Sequence, residues 1–277
     1  MSIRARWVER ARFSAWNRLL RGASIASPDA MRTRAIRGIP NLWLVRHGQS
    51  AGNVARDAAE ASGANVIELE GRDMDVQLSS LGEQQATALG AWFQTQTVKP
   101  SVVIASPFAR AWGTAERIVR AMGGTCEIAM DERLREKEFG SLDRLTKAGI
   151  LAKYPHEAEQ RERIGKFYYR PPGGESWCDV VLRVRALLDH LSLVYAGERV
   201  LLVTHQVLVL CARYAIENLA EEAILAIDRE GDVANCGLTA YVGSEQGVDL
   251  ATYNFVAPLQ EASTPVTHRP DVPGTRA

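Results

Sequence analysis

Two histidines and two arginines stand where three short apolar runs stop. Leu42-Trp43-Leu44-Val45 leads into Arg46-His47-Gly48, Val102-Val103-Ile104-Ala105 into Ser106-Pro107-Phe108-Ala109-Arg110, and Val200-Leu201-Leu202-Val203 into Thr204-His205-Gln206. Apolar runs of this length, bounded by polar residues, read as strands buried on both faces. In open parallel sheets, ligands bind beyond the carboxyl ends of such strands. If the three strands are neighbours, Arg46, His47, Arg110 and His205 converge on one pocket, whose positive potential and guanidinium forks suit a phosphate. Taken singly, each residue has an ordinary structural use: a histidine after a strand as a hydrogen-bonded core residue, an arginine as a surface charge. Only the combination points to chemistry. Paired histidines also serve zinc, but the adjacent arginines repel a cation and no third ligand stands at helical spacing beside either histidine.

The elements that must position these residues alternate between strand and helix. Ser80 to Gln94 has helical spacing, with Leu81, Gln85, Leu89 and Trp92 on one side, and Phe108 to Met122 forms a second helix closed by Gly123-Gly124. Ser176 with Asp179 makes a capping box ahead of a helix reaching about Val194. A helix from about Val207 to Glu217 follows the third strand, and Leu238 to Val242 reads as a later one. Strands alternating with helices imply an α/β three-layer sandwich, a mostly parallel central sheet with helices on both faces. The expected layout is an Arg-rich extension over residues 1–38, one catalytic domain over 39–257, and a Pro- and Thr-rich tail over 258–277 without fixed structure.

Composition limits the partners. The 277 residues carry 33 basic and 33 acidic side chains, so net charge makes no case for nucleic acid. Residues 1–38 nevertheless hold nine arginines against Glu9 and Asp29. Residues 1–24 have helical spacing and fit a surface or partner-packing helix, a membrane-surface helix, or an organelle transit peptide. Cys126, Cys178, Cys211 and Cys236 are far apart and form no CxxC pair, which argues against zinc and suits reduced, mostly buried side chains. That usage fits a cytoplasmic protein, with organelle targeting through the N-terminus as the alternative.

Leu44-Val-Arg-His-Gly-Gln-Ser50 followed by Asn53 resembles the signature of the histidine phosphatase superfamily, in its phosphoglycerate mutase-like branch. Ser106-Pro-Phe-Ala-Arg-Ala-Trp-Gly-Thr-Ala115, Leu134-Arg-Glu-Lys-Glu-Phe-Gly140 and Val203-Thr-His-Gln206 are similar to its second, third and fourth motifs, in family order. The resemblance implies that His47 attacks phosphorus and becomes phosphohistidine. Imidazole suits this task near neutral pH, its unperturbed pKa being roughly 6.5. Arg46, Arg110 and His205 would hold the non-bridging oxygens, Asn53 would donate a further hydrogen bond, and Gly48 would let the backbone pass close to the nucleophile. Glu136 would protonate the leaving alkoxide and then activate water. Glu138 is its rival, and spacing to Gly140 favours Glu136. No metal or cofactor is required by this chemistry.

Both phosphatases and mutases share that pocket. The paired-arginine insertion of the family's phosphoglycerate mutases is not found between Gly140 and Gly174. Lys166-Phe-Tyr-Tyr-Arg-Pro-Pro-Gly-Gly-Glu-Ser176 instead resembles the fructose-2,6-bisphosphatase-like members, as does Gln206. Two departures, Glu162 four residues before Lys166 and Lys147 where that group has tyrosine, argue against a sugar bisphosphate. The expected activity is metal-independent hydrolysis of a small phosphorylated metabolite, with phosphoglycerate mutase or a non-catalytic phospholigand-binding protein as alternatives. Ser50, Gln206 and Lys166 are further candidates for substrate binding. Lys147, Arg163, Lys166 and Arg170 form either a basic rim or a solvated charged face. Glu175 either supports the site or occupies the first turn of its helix. Residues 54–77 are long enough to cover the site.

Overall fold

The computed structural model describes residues 36–268, apart from 125 and 246. In chain order these form β1 (Asn41–Arg46), α1 (Ala51–Ser62), α2 (Ser80–Thr95), β2 (Val102–Ala105), α3 (Ala109–Met122), β3 (Ile128–Met130), α4 (Lys147–Lys153), α5 (Pro155–Ile164), α6 (Trp177–Val194), β4 (Arg199–Thr204), α7 (Gln206–Glu217), α8 (Glu221–Glu230), β5 (Leu238–Ser244), β6 (Gly247–Phe255) and α9 (Ala257–Glu261).

The six strands make one sheet in the order β3-β2-β4-β1-β5-β6. Strands β3, β2, β4 and β1 run parallel, and β5 and β6 continue the sheet antiparallel. Each apolar run is buried on both faces because alternate residues serve two cores. Leu42, Leu44, Ile104, Val200 and Leu202 pack with Val180, Val184 and Leu187 of α6 and Leu208 of α7. Trp43, Val45, Val103, Leu201 and Val203 pack on the opposite face with Leu89 and Phe93 of α2 and Ala111, Ala115 and Ile118 of α3. Helices α2 and α3 approach closely at Gly90, where a Cβ would lie 2.5 Å from the Ile118 carbonyl oxygen.

The fold is thus the three-layer α/β sandwich expected, and β1, β4 and β2 are neighbours. Helix α7, which follows β4, packs on one face of the sheet and α2, reached from β1 through α1, on the other, so the carboxyl ends of β1 and β4 mark a topological switch point. The Ser176 cap with Asp179 forms, and Gly123, at φ +119°, closes α3.

Both expected domain limits need correction. Ile36 and Ile39 are buried in the first core and Gly38 accepts a hydrogen bond from Gly197 N–H, so residues 36–38 belong to the folded body. Residues 1–35, with the amphipathic segment 1–24, lie outside the described residues. The tail is also structured as far as His268. Leu259 and Val266 are apolar enough to join the second core, and Thr267 hydrogen-bonds both Asn235 and Gln85. Residues 269–277 lie outside the described residues. The segment 54–77 is not all loop, since α1 fills its first part. Among the described residues, no helix is long and apolar enough to cross a membrane.

Candidate functional site

The three parallel strand ends lie side by side. Arg46 pairs in register with Thr204, and Ala105 with Val203, so His47 and His205 leave the sheet at the same level and Ser106 one residue earlier. The His47 N–H bonds to Thr204 O (2.8 Å), continuing the β1–β4 ladder by one residue. The two imidazoles meet edge to face, centroids 5.1 Å apart, and Phe108 packs on the other side of His205 at 5.2 Å.

His47 Nδ1 lies 2.7 Å from Gly48 O. A carbonyl oxygen only accepts, so Nδ1 carries the proton and Nε2 carries the lone pair. The ring is fully buried, and its own carbonyl is held by Asn235 Nδ2 at 3.0 Å. Gly48 is required sterically: a Cβ there would lie 2.4 Å from the Gly82 carbonyl oxygen. Its N–H donates to Thr114 Oγ1 (3.0 Å), which in turn donates to Arg110 O (2.7 Å), tying the first turn of α3 to the loop that follows β1. His205 Nε2 lies 2.9 Å from Ser106 Oγ. Arg46 is fully buried, with Nη1 donating to Val233 O at 2.6 Å.

Asn53 and Ser50 form the capping box of α1. Asn53 Oδ1 accepts from Ser50 N–H (3.0 Å), Ser50 Oγ (3.1 Å) and Asn235 Nδ2 (3.4 Å), so Nδ2 is the end of this amide suited to donate to an oxyanion. The Ser50 hydroxyl is committed to that cap, although the residue lines a small cavity of about 30 Å³ with Asn53, Arg56, Asp73, Arg110, Asp143 and Arg144. Gln206 opens α7; its Nε2 donates to Asp232 (3.0 Å), while Oε1 is buried and finds no hydrogen-bond partner among the described residues.

Glu136 reaches the strand ends because Thr204 Oγ1 donates to Leu134 O (2.8 Å), pinning the segment beneath β4. Its carboxylate is buried, with Oε1 accepting from Lys137 N–H at 2.7 Å. The rival Glu138 is exposed and lends only its backbone to the motif. Glu175 lies before α6 rather than in its first turn. Its carboxylate takes Arg135, Arg183 and the Glu138 N–H, and Arg183 also donates to Arg133 O and Glu136 O. Burial pushes the Glu175 carboxyl up, but the hydrogen bond and charge of Arg183 more than offset this and hold it below the ordinary range. Glu175 therefore braces the loop that carries Glu136.

A larger cavity of about 560 Å³ is lined from Lys137 onward and walled by Phe139, Leu142, Ile150, Tyr169, Trp177 and Leu225 among others. Its lysines do not form an open basic rim. Lys166 is ion-paired with Asp228 and sits over the Trp177 ring at 5.2 Å. Arg170 is paired with Asp179, and Arg163 is exposed on α5. Lys137 and Lys147 line the cavity, and burial lowers the Lys137 ammonium pKa to about 8.

Sequence reasoning missed Asn235, Asp73 and Asp232. Asn235 precedes Cys236, a non-glycine residue at φ +55°, and only the folded turn brings it against His47.

Residues 42–256 match the model of the histidine phosphatase superfamily, branch 1. The chain is 30% identical over 200 residues to a probable phosphoglycerate mutase of Photorhabdus laumondii subsp. laumondii, covering 72% of this chain and 82% of that one. It is 31% identical over 192 residues to a 2,3-bisphosphoglycerate-dependent phosphoglycerate mutase of Sinorhizobium fredii, covering 68% and 84%. Among solved structures, mycobacterial glucosyl-3-phosphoglycerate phosphatase in complex with VO3 superposes with a TM-score of 0.61 at 28% identity, covering 78% of this chain and 99% of that one. YhfR of Bacillus stearothermophilus superposes with a TM-score of 0.65 at 25% identity, covering 79% and 98%. With three of its four motifs at adjoining strand ends and a family match spanning most of its length, the chain belongs to the histidine phosphatase superfamily.

Proposed function

We propose that the protein is a phosphomonoester hydrolase working through a phosphohistidine on His47. The observation that carries this reading is the 2.7 Å contact between His47 Nδ1 and Gly48 O. Gly48 O holds Nδ1–H, so Nε2 presents a lone pair at the level of His205, with Glu136 buried on the neighbouring segment.

In the first step the Nε2–P bond forms and the bond from phosphorus to the alcohol oxygen breaks. Glu136 gives its proton to the departing alkoxide, while Arg46, Arg110, His205 and the Asn53 amide hold the non-bridging oxygens. In the second step Glu136 takes a proton from water, the hydroxide attacks phosphorus, the N–P bond breaks, and inorganic phosphate leaves. The positive charge that another enzyme would draw from a metal comes here from side chains. The alcohol part of the substrate occupies the 560 Å³ cavity, a volume suited to a small metabolite. Lys137 and Lys166 line that cavity, Gln206 follows His205 at the start of α7, and Ser50 acts through its cap on Asn53.

We favour hydrolysis over mutase action because the paired-arginine insertion by which the family's phosphoglycerate mutases grip a second phosphate-bearing group is not found between Gly140 and Gly174. The test is a panel of phosphorylated metabolites in excess chelator, reading both free phosphate and isomerised product. Release of phosphate that disappears in His47→Ala supports the reading. Rapid interconversion of 2- and 3-phosphoglycerate with negligible hydrolysis would replace it with the mutase.

A further inference from the structure

The guanidinium of Arg110 meets a carboxylate. Nη1 and Nη2 donate to the two carboxylate oxygens of Asp73 at 3.1 Å each, and Nη1 also donates to Asp73 O at 2.8 Å. This two-pronged arrangement is the one a guanidinium offers to a phosphoryl group. The Arg110 side chain is 4% exposed and that of Asp73 44%, so the carboxylate lies on the solvent side of the fork.

Asp73 belongs to a 3-10 turn, Asp73–Asp75, in the strap joining α1 to α2. The strap is fastened on both sides of that turn. On one side Val66 bridges Leu145, and Arg144 donates to Leu69 O (2.6 Å) and to Gly71 O. On the other, Leu78 bridges Ser50, and Ala51 N–H donates to Gln77 O (3.0 Å). Between these fastenings no residue of the turn is buried, and the Asp73–Arg110 pair ties it to the body.

We propose that Asp73 is a built-in anionic occupant of the Arg110 fork, which the phosphoryl group of a substrate must displace. Binding then exchanges one anion for another. A phosphomonoester dianion gains from the exchange because it carries more charge than the carboxylate. A phosphodiester or a carboxylate, with a single charge, does not. Asp73 thereby sets affinity and favours monoesters, and the turn 73–75 moves outward as substrate enters. The inference rests on reading Arg110 as a phosphoryl ligand. It makes Asp73 a positioning residue, since the carboxylate leaves before substrate is seated.

The test is the affinity of inorganic phosphate, measured by calorimetry on the full chain and on Asp73→Asn, Asp73→Ala and Asp75→Asn. Both Asp73 variants should bind phosphate about tenfold more tightly, the worth of one displaced charge-assisted contact. They should also lower KM for p-nitrophenyl phosphate with little change in kcat. Asp75, paired with Arg72 on the same turn, supplies the control for a general field effect, and its variant should bind phosphate as the parent does. Unchanged or weaker binding in the Asp73 variants, or an equal gain in Asp75→Asn, overturns the proposal. Should those variants fail to fold, amide exchange of the parent decides. Residues 72–76 should exchange faster at saturating phosphate, and unchanged exchange counts against displacement. Phosphate binding needs no turnover, so tighter binding in a protein that hydrolyses nothing would preserve this inference while removing the hydrolase reading.

Discussion

The imidazoles of His47 and His205 stand edge to face, 5.1 Å between centroids, at the ends of two hydrogen-bonded parallel strands. The relationship follows from register: Arg46 lies opposite Thr204, so the residues that come next must leave the sheet together. The candidate site is thus a property of the β1–β4 ladder as much as of its side chains, and changes that disturb the ladder's end should disturb catalysis.

Gly48→Ala is one such change. The added Cβ would meet the Gly82 carbonyl oxygen at 2.4 Å, and backbone cannot yield as a flexible side chain does. We expect a loss of about 1–3 kcal/mol in denaturant unfolding, together with a fall in kcat. Unchanged values for both would show that the loop after β1 and the first turn of α2 can separate without consequence.

Glu136→Gln should lower kcat toward substrates with poor leaving groups by about 10²–10⁴-fold. Glu138→Gln should leave it nearly unchanged, since that carboxylate is exposed. The comparison is steady-state kinetics on an alkyl phosphate. Equal losses in both variants would reopen the assignment of the acid.

Glu175→Ala should act on the same step from a distance. It releases Arg135, Arg183 and the Glu138 N–H together, at a cost of about 1–3 kcal/mol in stability. We expect kcat to fall with KM little changed, because what moves is the loop carrying Glu136. A change confined to KM would place Glu175 in substrate binding instead.

Lys137 gives a pH signature. Burial lowers its ammonium pKa from the ordinary 10.5 to about 8, although the charges of Glu136 and Glu175 pull it upward. Below pH 8 the amine is protonated in both folded and unfolded chains, and the folded state bears the desolvation penalty. Between about 8 and 10.5 the folded state has shed a proton that the unfolded state keeps, so stability rises with pH. Lys137→Met removes this dependence. Its stabilisation relative to the parent should therefore be largest at pH 7 and shrink by roughly 3 kcal/mol as pH approaches 10.5. Chemical unfolding of both proteins across that range checks the sign, and a difference that grows with pH would contradict it.

The sheet and its reactive ends were legible in the sequence because the signals are local. Leu42 to Val45, Val102 to Ala105 and Val200 to Val203 are apolar whichever face they serve, and the Ser176 cap is written in four residues. What could not be read depends on contacts between distant segments. The apolar Leu259 and Val266 sit among Pro, Thr and Ser, so the end of the chain reads as unstructured until it packs on the second core. Lys166 reads as a cation for the substrate, but Asp228, 62 residues later, claims it. Asp73 carries no motif at all, and its importance comes from lying over Arg110 in space.

The central claim is that His47 Nε2 becomes covalently phosphorylated during turnover. The direct measurement is acid-free rapid quenching with a phosphorus-labelled monoester, followed by peptide mapping of the label. The account predicts an acid-labile, alkali-stable phosphoramidate on the peptide containing His47, accumulating further in Glu136→Gln and absent in His47→Ala. Turnover by the parent that leaves no label on His47, or activity that survives His47→Ala, would contradict it.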